Sequence, residues 1–140
     1  MEVSTDLRDR ADIERLLRRF YGRALHDDVL HGPFTDLRAR GLDAHIPVMC
    51  DFWETVLFRA GRYRGSALTA HRHIHTEHSL TGERFARWLT LWQATVDEMF
   101  RGPVADRAKL QAGRIAWAMH RRLNGTDSPL LDAYLGRGAA

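Results

Sequence analysis

Five of the eight histidines raise the chemical question that this chain poses. His45 stands at the start of a helical pattern, and His71, His73, His75 and His78 crowd into eight residues. A neutral imidazole is the commonest metal ligand among side chains, and its charge changes near physiological pH. Read as an extended chain, the alternating His71, His73 and His75 would share one face and suggest a zinc or nickel site. Two features weigh against that reading: the only supporting carboxylate is Glu77, and the segment lies between helices, with no sheet to hold it extended. A second arrangement uses one member of the cluster. His45 and His71 are separated by one apolar helix and a turn marked by Gly61 and Gly65, a layout that sets two imidazoles on opposite sides of a flat ligand. Leu68 and His71 are three residues apart, one inward face of a short turn leading out of Gly65, whereas His73 and His75 fall where the chain is expected to open into a solvent-facing loop. His71 is therefore the preferred ligand. Taken alone, His45 reads more readily as a solvated or capping residue than as a ligand.

Two further groups can donate hydrogen bonds from apolar surroundings. Tyr21 lies on the apolar stripe of the first helix, and a buried phenol needs a partner, for which a backbone carbonyl suffices. Trp88 shares its helix face with Trp92, so core packing is an adequate account of it. Cys50, the single cysteine, cannot form an internal disulfide; its place on an apolar helical run predicts a buried thiol in a reducing compartment.

The elements that must position these residues are helical throughout. Ile13, Leu16, Leu17, Phe20, Tyr21, Ala24 and Leu25 recur at three- and four-residue steps, with charges between them, so an amphipathic helix is expected from about Asp9. Asp9 and Asp12 suit its first turn, and residues 1–8 are expected to be frayed or only loosely helical. Residues 27–33 read as a loop closed by Gly32-Pro33, with Phe34 pointing inward, a helical turn over 35–40 and a stop at Gly41. Asp43 is placed to cap the next helix, which takes Pro47 in its first turn and runs to about Arg59 with Val48, Met49, Phe52, Trp53, Val56 and Leu57 on one face. A helix from about Thr81 carries Phe85, Trp88, Leu89, Trp92, Val96, Met99 and Phe100. Pro103 opens the last long helix, whose inward set is Ala108, Ala112, Ile115, Ala116, Met119 and Leu123, and Gly125 ends it. Ser128-Pro129 can start one more turn through Leu130, Leu131 and Tyr134. With no credible strand pair, the fold class is all-α, divided into an N-terminal segment (1–8), one domain (9–125) and a tail (126–140).

A chain of 140 residues buries a sizeable core without staples. Its formal net charge is +3, and the arginines that dominate the basic set are scattered over helix faces, the pattern of solvated surface and not of a nucleic-acid stripe. No signal-like N-terminus and no apolar run of membrane length is present, so a cytoplasmic protein without membrane contact is expected.

Phe20-Tyr21, the loop ending in Phe34, His45-x-Pro-x-Met-x-Asp-Phe-Trp, Gly61-Arg-Tyr-x-Gly65, His71 and Phe85-x-x-Trp-Leu follow one another in order. From about residue 10 to 125 this series resembles the group III truncated haemoglobins, small bacterial globins, most specifically over residues 45–71. The resemblance implies a shortened globin fold, two helices crossed over two, around haem b. By position it implies His71 as the iron ligand, Tyr21, Trp88 and His45 as distal residues, Phe34, Met49, Phe52 and Leu68 as apolar contacts of the porphyrin, and Arg62 and Tyr63 near its propionates. Two departures stand out. Leu42 occupies a position where the family often carries tryptophan, which is expected to loosen the helix start that holds His45. The stretch between His71 and Phe85 is histidine-rich where the family is apolar and proline-rich.

On that reading the partners are diatomic gases (O2, NO, CO) and a reductant that the sequence does not identify, in a monomer or weak homo-oligomer. A globin iron needs one strong neutral nitrogen donor and an open position. Dioxygen polarised at ferrous iron gains negative charge on its outer atom, where a hydrogen bond is worth on the order of 1.5–3 kcal/mol. Two donors, Tyr21 and Trp88, would slow release by orders of magnitude. This suits ligand detoxification, sensing or redox chemistry on oxygen, peroxide or nitric oxide better than bulk transport. The competing reading is a haem-free interaction module whose histidine cluster binds a transition metal.

Overall fold

The computed structural model describes residues 4–59, 61, 63 and 65–136. It is all-helical, with 71% of residues in helix and no strand among the described residues. Seven helices follow in order: α1 (Arg10–Ala24), α2 (Thr35–Arg40), α3 (His45–Phe58), α4 (Ala67–Glu77), α5 (Gly82–Met99), α6 (Pro103–Asn124) and α7 (Pro129–Tyr134). Four of them form two crossed pairs. α1 lies on α3, α5 lies on α6, and the pairs meet through α1 on α5 and α3 on α6.

The apolar periodicity explains the packing. On α1 all seven predicted stripe residues are buried, and Asp9 caps the helix by accepting from the Asp12 amide at 3.1 Å. On α6, Ala105, Ala108, Ala112 and Ala116 are buried at helical spacing, and such small side chains let α5 approach closely enough for the Trp92 indole N–H to reach the Ala108 carbonyl at 3.2 Å. Glu98 of α5 bridges Arg19 and Arg23 of α1, and Arg10 joins α1 to α3 through Asp51, Glu54 and the Pro47 carbonyl. Gly125 stops α6 in a left-handed conformation.

Three expectations change. Residues 4–8 are docked, not frayed. Leu7 is buried, the Thr5 carbonyl accepts from the Arg101 amide at 3.0 Å, and the Asp6 carboxylate accepts from the amides of Val104 and Ala105 at 2.9 and 2.8 Å. An aspartate from far away in sequence thus satisfies the orphan amides of α6. Gly102, at φ +147, permits this approach, because a Cβ there would lie 2.5 Å from the Asp6 carboxyl carbon. Asp43 does not cap α3. Its side chain is exposed, and the Leu42 carbonyl instead accepts from the amides of both His45 and Ile46 at 2.9 Å. Both are main-chain bonds, independent of the Leu42 side chain. Lastly, the solvent-facing loop expected beyond His71 is helix as far as Glu77. Ser66 caps it, accepting from the Thr69 amide at 3.2 Å, and the steps Leu68, His71, Ile74/His75 continue a helical period that alternate-residue reading conceals.

α7 belongs to the same body. Ser128 caps it, Leu131 is fully buried, and the helix packs on α5 and α6. No helix among the described residues is long and apolar enough to cross a membrane.

Candidate functional site

α3 carries two apolar stripes. Ile46, Cys50, Trp53 and Leu57, spaced four, three and four residues apart, are buried against α1 and α6. His45, Met49, Phe52 and Val56 repeat the same spacing one position earlier and are only half-buried. The single broad face predicted from the sequence therefore divides in two, and Val48, placed on it, is exposed. The outer stripe has more apolar surface than the protein core covers. α4 is similar: no residue of it is fully buried, and its main helix contact is with α6, not α3. Its inward side presents Leu68, His71 and Ile74, each half-buried and the two aliphatic residues packed at the edge of the core. Phe34, Leu37 and Leu42 extend the same half-buried apolar set from the α2 region.

His71 is oriented by its own helix. Its Nδ1 lies 2.7 Å from the Ala67 carbonyl. A carbonyl can only accept, so Nδ1 holds the proton of the neutral ring and Nε2 is left with a lone pair, the arrangement that strengthens a metal-ligating imidazole. Burial holds the His71 pKa below the ordinary histidine value, the carbonyl partly opposing it. His45 is also lowered, by burial and then by the nearby His71. Both imidazoles are thus neutral at pH 7, and they are close enough to influence each other.

Tyr21 takes a different partner from the backbone carbonyl that its position alone suggested. Its hydroxyl and His45 Nε2 share a hydrogen bond of 2.9 Å, with the two rings edge to face. Phe34 packs against the other side of the phenol, at 5.9 Å between centroids. Burial pushes the Tyr21 pKa well above the usual phenol value, so it remains a protonated donor. Trp88 is half-buried and stacked on Trp92 at 5.8 Å. Its indole N–H has no hydrogen-bond partner among the described residues, whereas that of Trp92 is spent on Ala108.

The other predicted residues are placed as follows. Met49 and Phe52 lie on the outer stripe of α3 with His45, and Leu68 lies with His71. The Tyr63 ring packs edge to face on Phe52 at 5.2 Å and covers Gly65, while its amide donates to Thr55 at 3.2 Å. Arg62 lies outside the described residues. The stripes add Val56 and Ile74, which sequence reasoning did not assign to the site; their spacing from His45 and His71 was the available signal.

The remaining histidines do not converge. Helical winding turns His73 out to solvent. His75 Nδ1 accepts from the Leu80 amide at 2.9 Å and so ends the helix. The His78 ring packs beside Gly32. No group of three His, Cys, Asp or Glu side chains among the described residues is placed to hold a metal ion, which removes the structural basis for a histidine-cluster metal site.

A two-over-two helical core, with half-buried apolar stripes on α3 and α4 that carry the neutral imidazoles of His45 and His71, defines a truncated-globin fold. A solved structure shares it: the chain is similar to the group III truncated hemoglobin from Campylobacter jejuni, with a TM-score of 0.76 and 20% sequence identity over 86% of this chain and 95% of that one. No protein-family model matches the sequence, and no curated protein matches it.

The residues present fit a porphyrin. The donor set provides one neutral nitrogen with a tied second nitrogen, and the adjoining surfaces of α3 and α4 offer apolar side chains that the protein itself leaves partly uncovered. Both are what a flat apolar macrocycle with one axial ligand requires.

Proposed function

We propose that the chain binds haem b between α3 and α4, with His71 as the protein ligand to iron, and that it binds diatomic gases in the ferrous state. When bound, haem supplies an iron that takes O2, NO or CO at its open position. The chain's own groups do the rest. The Ala67 carbonyl fixes the His71 tautomer, and Met49, Phe52, Leu68, Val56, Ile74 and Phe34 keep the pocket dry. Tyr21 and Trp88 are the donors toward the ligand, and His45 orients the phenol. Tyr63, and Arg62 beyond the described residues, are assigned to the propionate side. Two donors in a dry pocket favour slow oxygen release, and with it detoxification, sensing or redox turnover supplied by a separate reductant. A cytoplasmic monomer or weak homo-oligomer is part of this proposal.

The observation that carries the reading is the His71 tautomer, with Nδ1 held by the Ala67 carbonyl and the Nε2 lone pair left for a metal. The test is the absorption spectrum of haem-reconstituted protein in ferric, ferrous and carbonyl states. A Soret band at one haem per chain is expected, and His71→Ala should abolish stable retention. A His71→Ala protein that holds haem normally, with an unchanged ferrous carbonyl spectrum, would refute the assignment.

A further inference from the structure

Seven aromatic rings of this protein form one connected series, and three of them, Phe20, Trp92 and Trp53, play no part in the site described above. From Tyr21, hydrogen-bonded to His45, the series passes to Phe20 at 5.2 Å between centroids, then to Trp88 at 5.9 Å and Trp92 at 5.2 Å. Trp88 and Trp92 are stacked with nearly parallel planes, 6° apart, and Trp92 stacks in turn on Trp53 at 4.7 Å and 16°. Trp53 meets Phe52 at 5.4 Å, and Phe52 meets Tyr63 at 5.2 Å. The three indoles come from two helices, α3 and α5, and Trp92 and Trp53 are fully enclosed. Buried aromatic pairs ordinarily meet edge to face or offset, with centroids about 4.5–7 Å apart. Here every step is shorter than 6 Å, and the series runs from the gas-binding side to a half-buried phenol on the α3–α4 connection.

Indole and phenol are the aromatic side chains most readily oxidised by one electron, the phenol with loss of its O–H proton, and tunnelling between them falls steeply with distance. We propose that Trp88, Trp92 and Trp53 form a relay that carries single oxidising equivalents from the Tyr21–His45 side of the pocket to Tyr63. The proposal rests on the haem reading for its natural oxidant, which is a hydroperoxide. Cleaving the O–O bond of ROOH takes up two electrons and two protons and yields ROH and water. Each electron leaves the pocket-side rings and is replaced in turn from Trp92, Trp53 and finally Tyr63. Tyr63 gives up its phenolic proton to solvent as it loses its electron, and an external phenol-class reductant returns one hydrogen atom to it. Two such cycles balance one hydroperoxide. The enclosed indoles suit transit. The Trp92 N–H faces only the Ala108 carbonyl, a poor base, so the oxidised ring has no ready proton acceptor and passes the vacancy on. Tyr63, half-exposed, can exchange with solvent.

The experiment adds hydrogen peroxide to the haem-loaded full chain with a nitroso spin trap and locates adducts by peptide mass spectrometry. Electron paramagnetic resonance is recorded in parallel on protein carrying ring-deuterated tryptophan. A trapped radical at Tyr63 is expected, together with an indolyl signal whose lines narrow on deuteration. Trp92→Phe should lower the Tyr63 adduct several-fold, and Trp53→Phe should do the same should the first variant fold poorly. An undiminished Tyr63 adduct in a folded Trp92→Phe protein, or adducts confined to Trp117 and Tyr134, overturns the relay. A chain that retains no haem defeats the reading of the site, and the relay is then judged without haem by flash-generated ruthenium(III) tris-bipyridine. A first-order indolyl-to-phenoxyl conversion, lost in both Tyr63→Phe and Trp92→Phe, supports it; the same conversion surviving in either variant overturns it.

Discussion

Each of the two pocket imidazoles owes its role to one hydrogen bond. His71 is fixed by a carbonyl one turn back on its own helix, and His45 by a phenol on another helix. On the proposed haem reading, Tyr21→Phe therefore does more than remove a donor toward the bound gas. It also frees His45 to rotate and leaves its Nε2 without that partner. Loss of one charge-assisted hydrogen bond, on the order of 1.5–3 kcal/mol, converts to roughly a ten- to hundredfold faster oxygen dissociation, readable by stopped-flow mixing of the oxygenated protein with a scavenger. An unchanged rate would mean that the phenol serves His45 alone. His45→Leu provides the complementary measurement: it removes the Tyr21 partner while leaving the phenol in place, so oxygen release should change by less than in Tyr21→Phe. The inward placement of Tyr21, and the partial burial of His71, were legible in the sequence because both stood on predicted apolar faces. The Tyr21–His45 bond was not legible, since it joins residues of two helices whose relative rotation no periodicity states.

At the scale of elements, the sequence read best where one face was both apolar and buried. The stripe of α1 was recovered residue by residue; on α5 and α6 the centre of each stripe was recovered, while Trp88, Met99, Ile115 and Leu123 are only partly buried and the buried Thr95, Ala105, Gly113 and His120 were missed, because polar or very small side chains carry little apolar signal. α3 was read as one broad face because its two stripes are adjacent and equally apolar; only burial separates Cys50 and Trp53, inside, from Met49 and Phe52, outside. α4 was shortened because three histidines interrupt its apolar pattern, and a helix that leaves its inward face half-covered carries a weak signal. The Asp6 cap on α6 joins residues about a hundred positions apart, and capping motifs are recognised only locally. Its importance can be measured. Asp6→Ala removes the acceptor for two amides at the α6 start, so a loss of about 0.5–2 kcal/mol of unfolding free energy is expected, read as a lower urea midpoint with an unchanged slope. Ser66→Ala at α4 belongs to the same class, but α4 packs loosely. Its cost should therefore emerge mainly as faster amide exchange over Ala67–Glu77 and weaker haem retention, with little change in the global midpoint.

For the whole molecule, the two neutral imidazoles couple folding to pH. In the unfolded chain both would take up protons below about pH 6.5. In the folded chain burial holds both pKa values lower, His45 further disfavoured by the charge that His71 would carry. Between the unfolded and folded values the unfolded state thus binds more protons, and the free energy of unfolding falls as pH falls. The stabilisation is complete above the unfolded value and is progressively lost below it, down to the lowered folded values. Haem-free protein should accordingly show a urea midpoint that is flat above neutrality and declines from about pH 6.5 downward. His45→Gln should make the decline shallower, since one of the two titrating groups is gone and the remaining His71 no longer faces a second imidazole. With haem bound the dependence should steepen, because a protonated His71 cannot ligate iron and ligand binding adds its own free energy to the native state. A wild-type midpoint independent of pH across this range, or an unaltered slope in His45→Gln, would show that these imidazoles remain solvated and would remove the electrostatic basis for a dry pocket between α3 and α4.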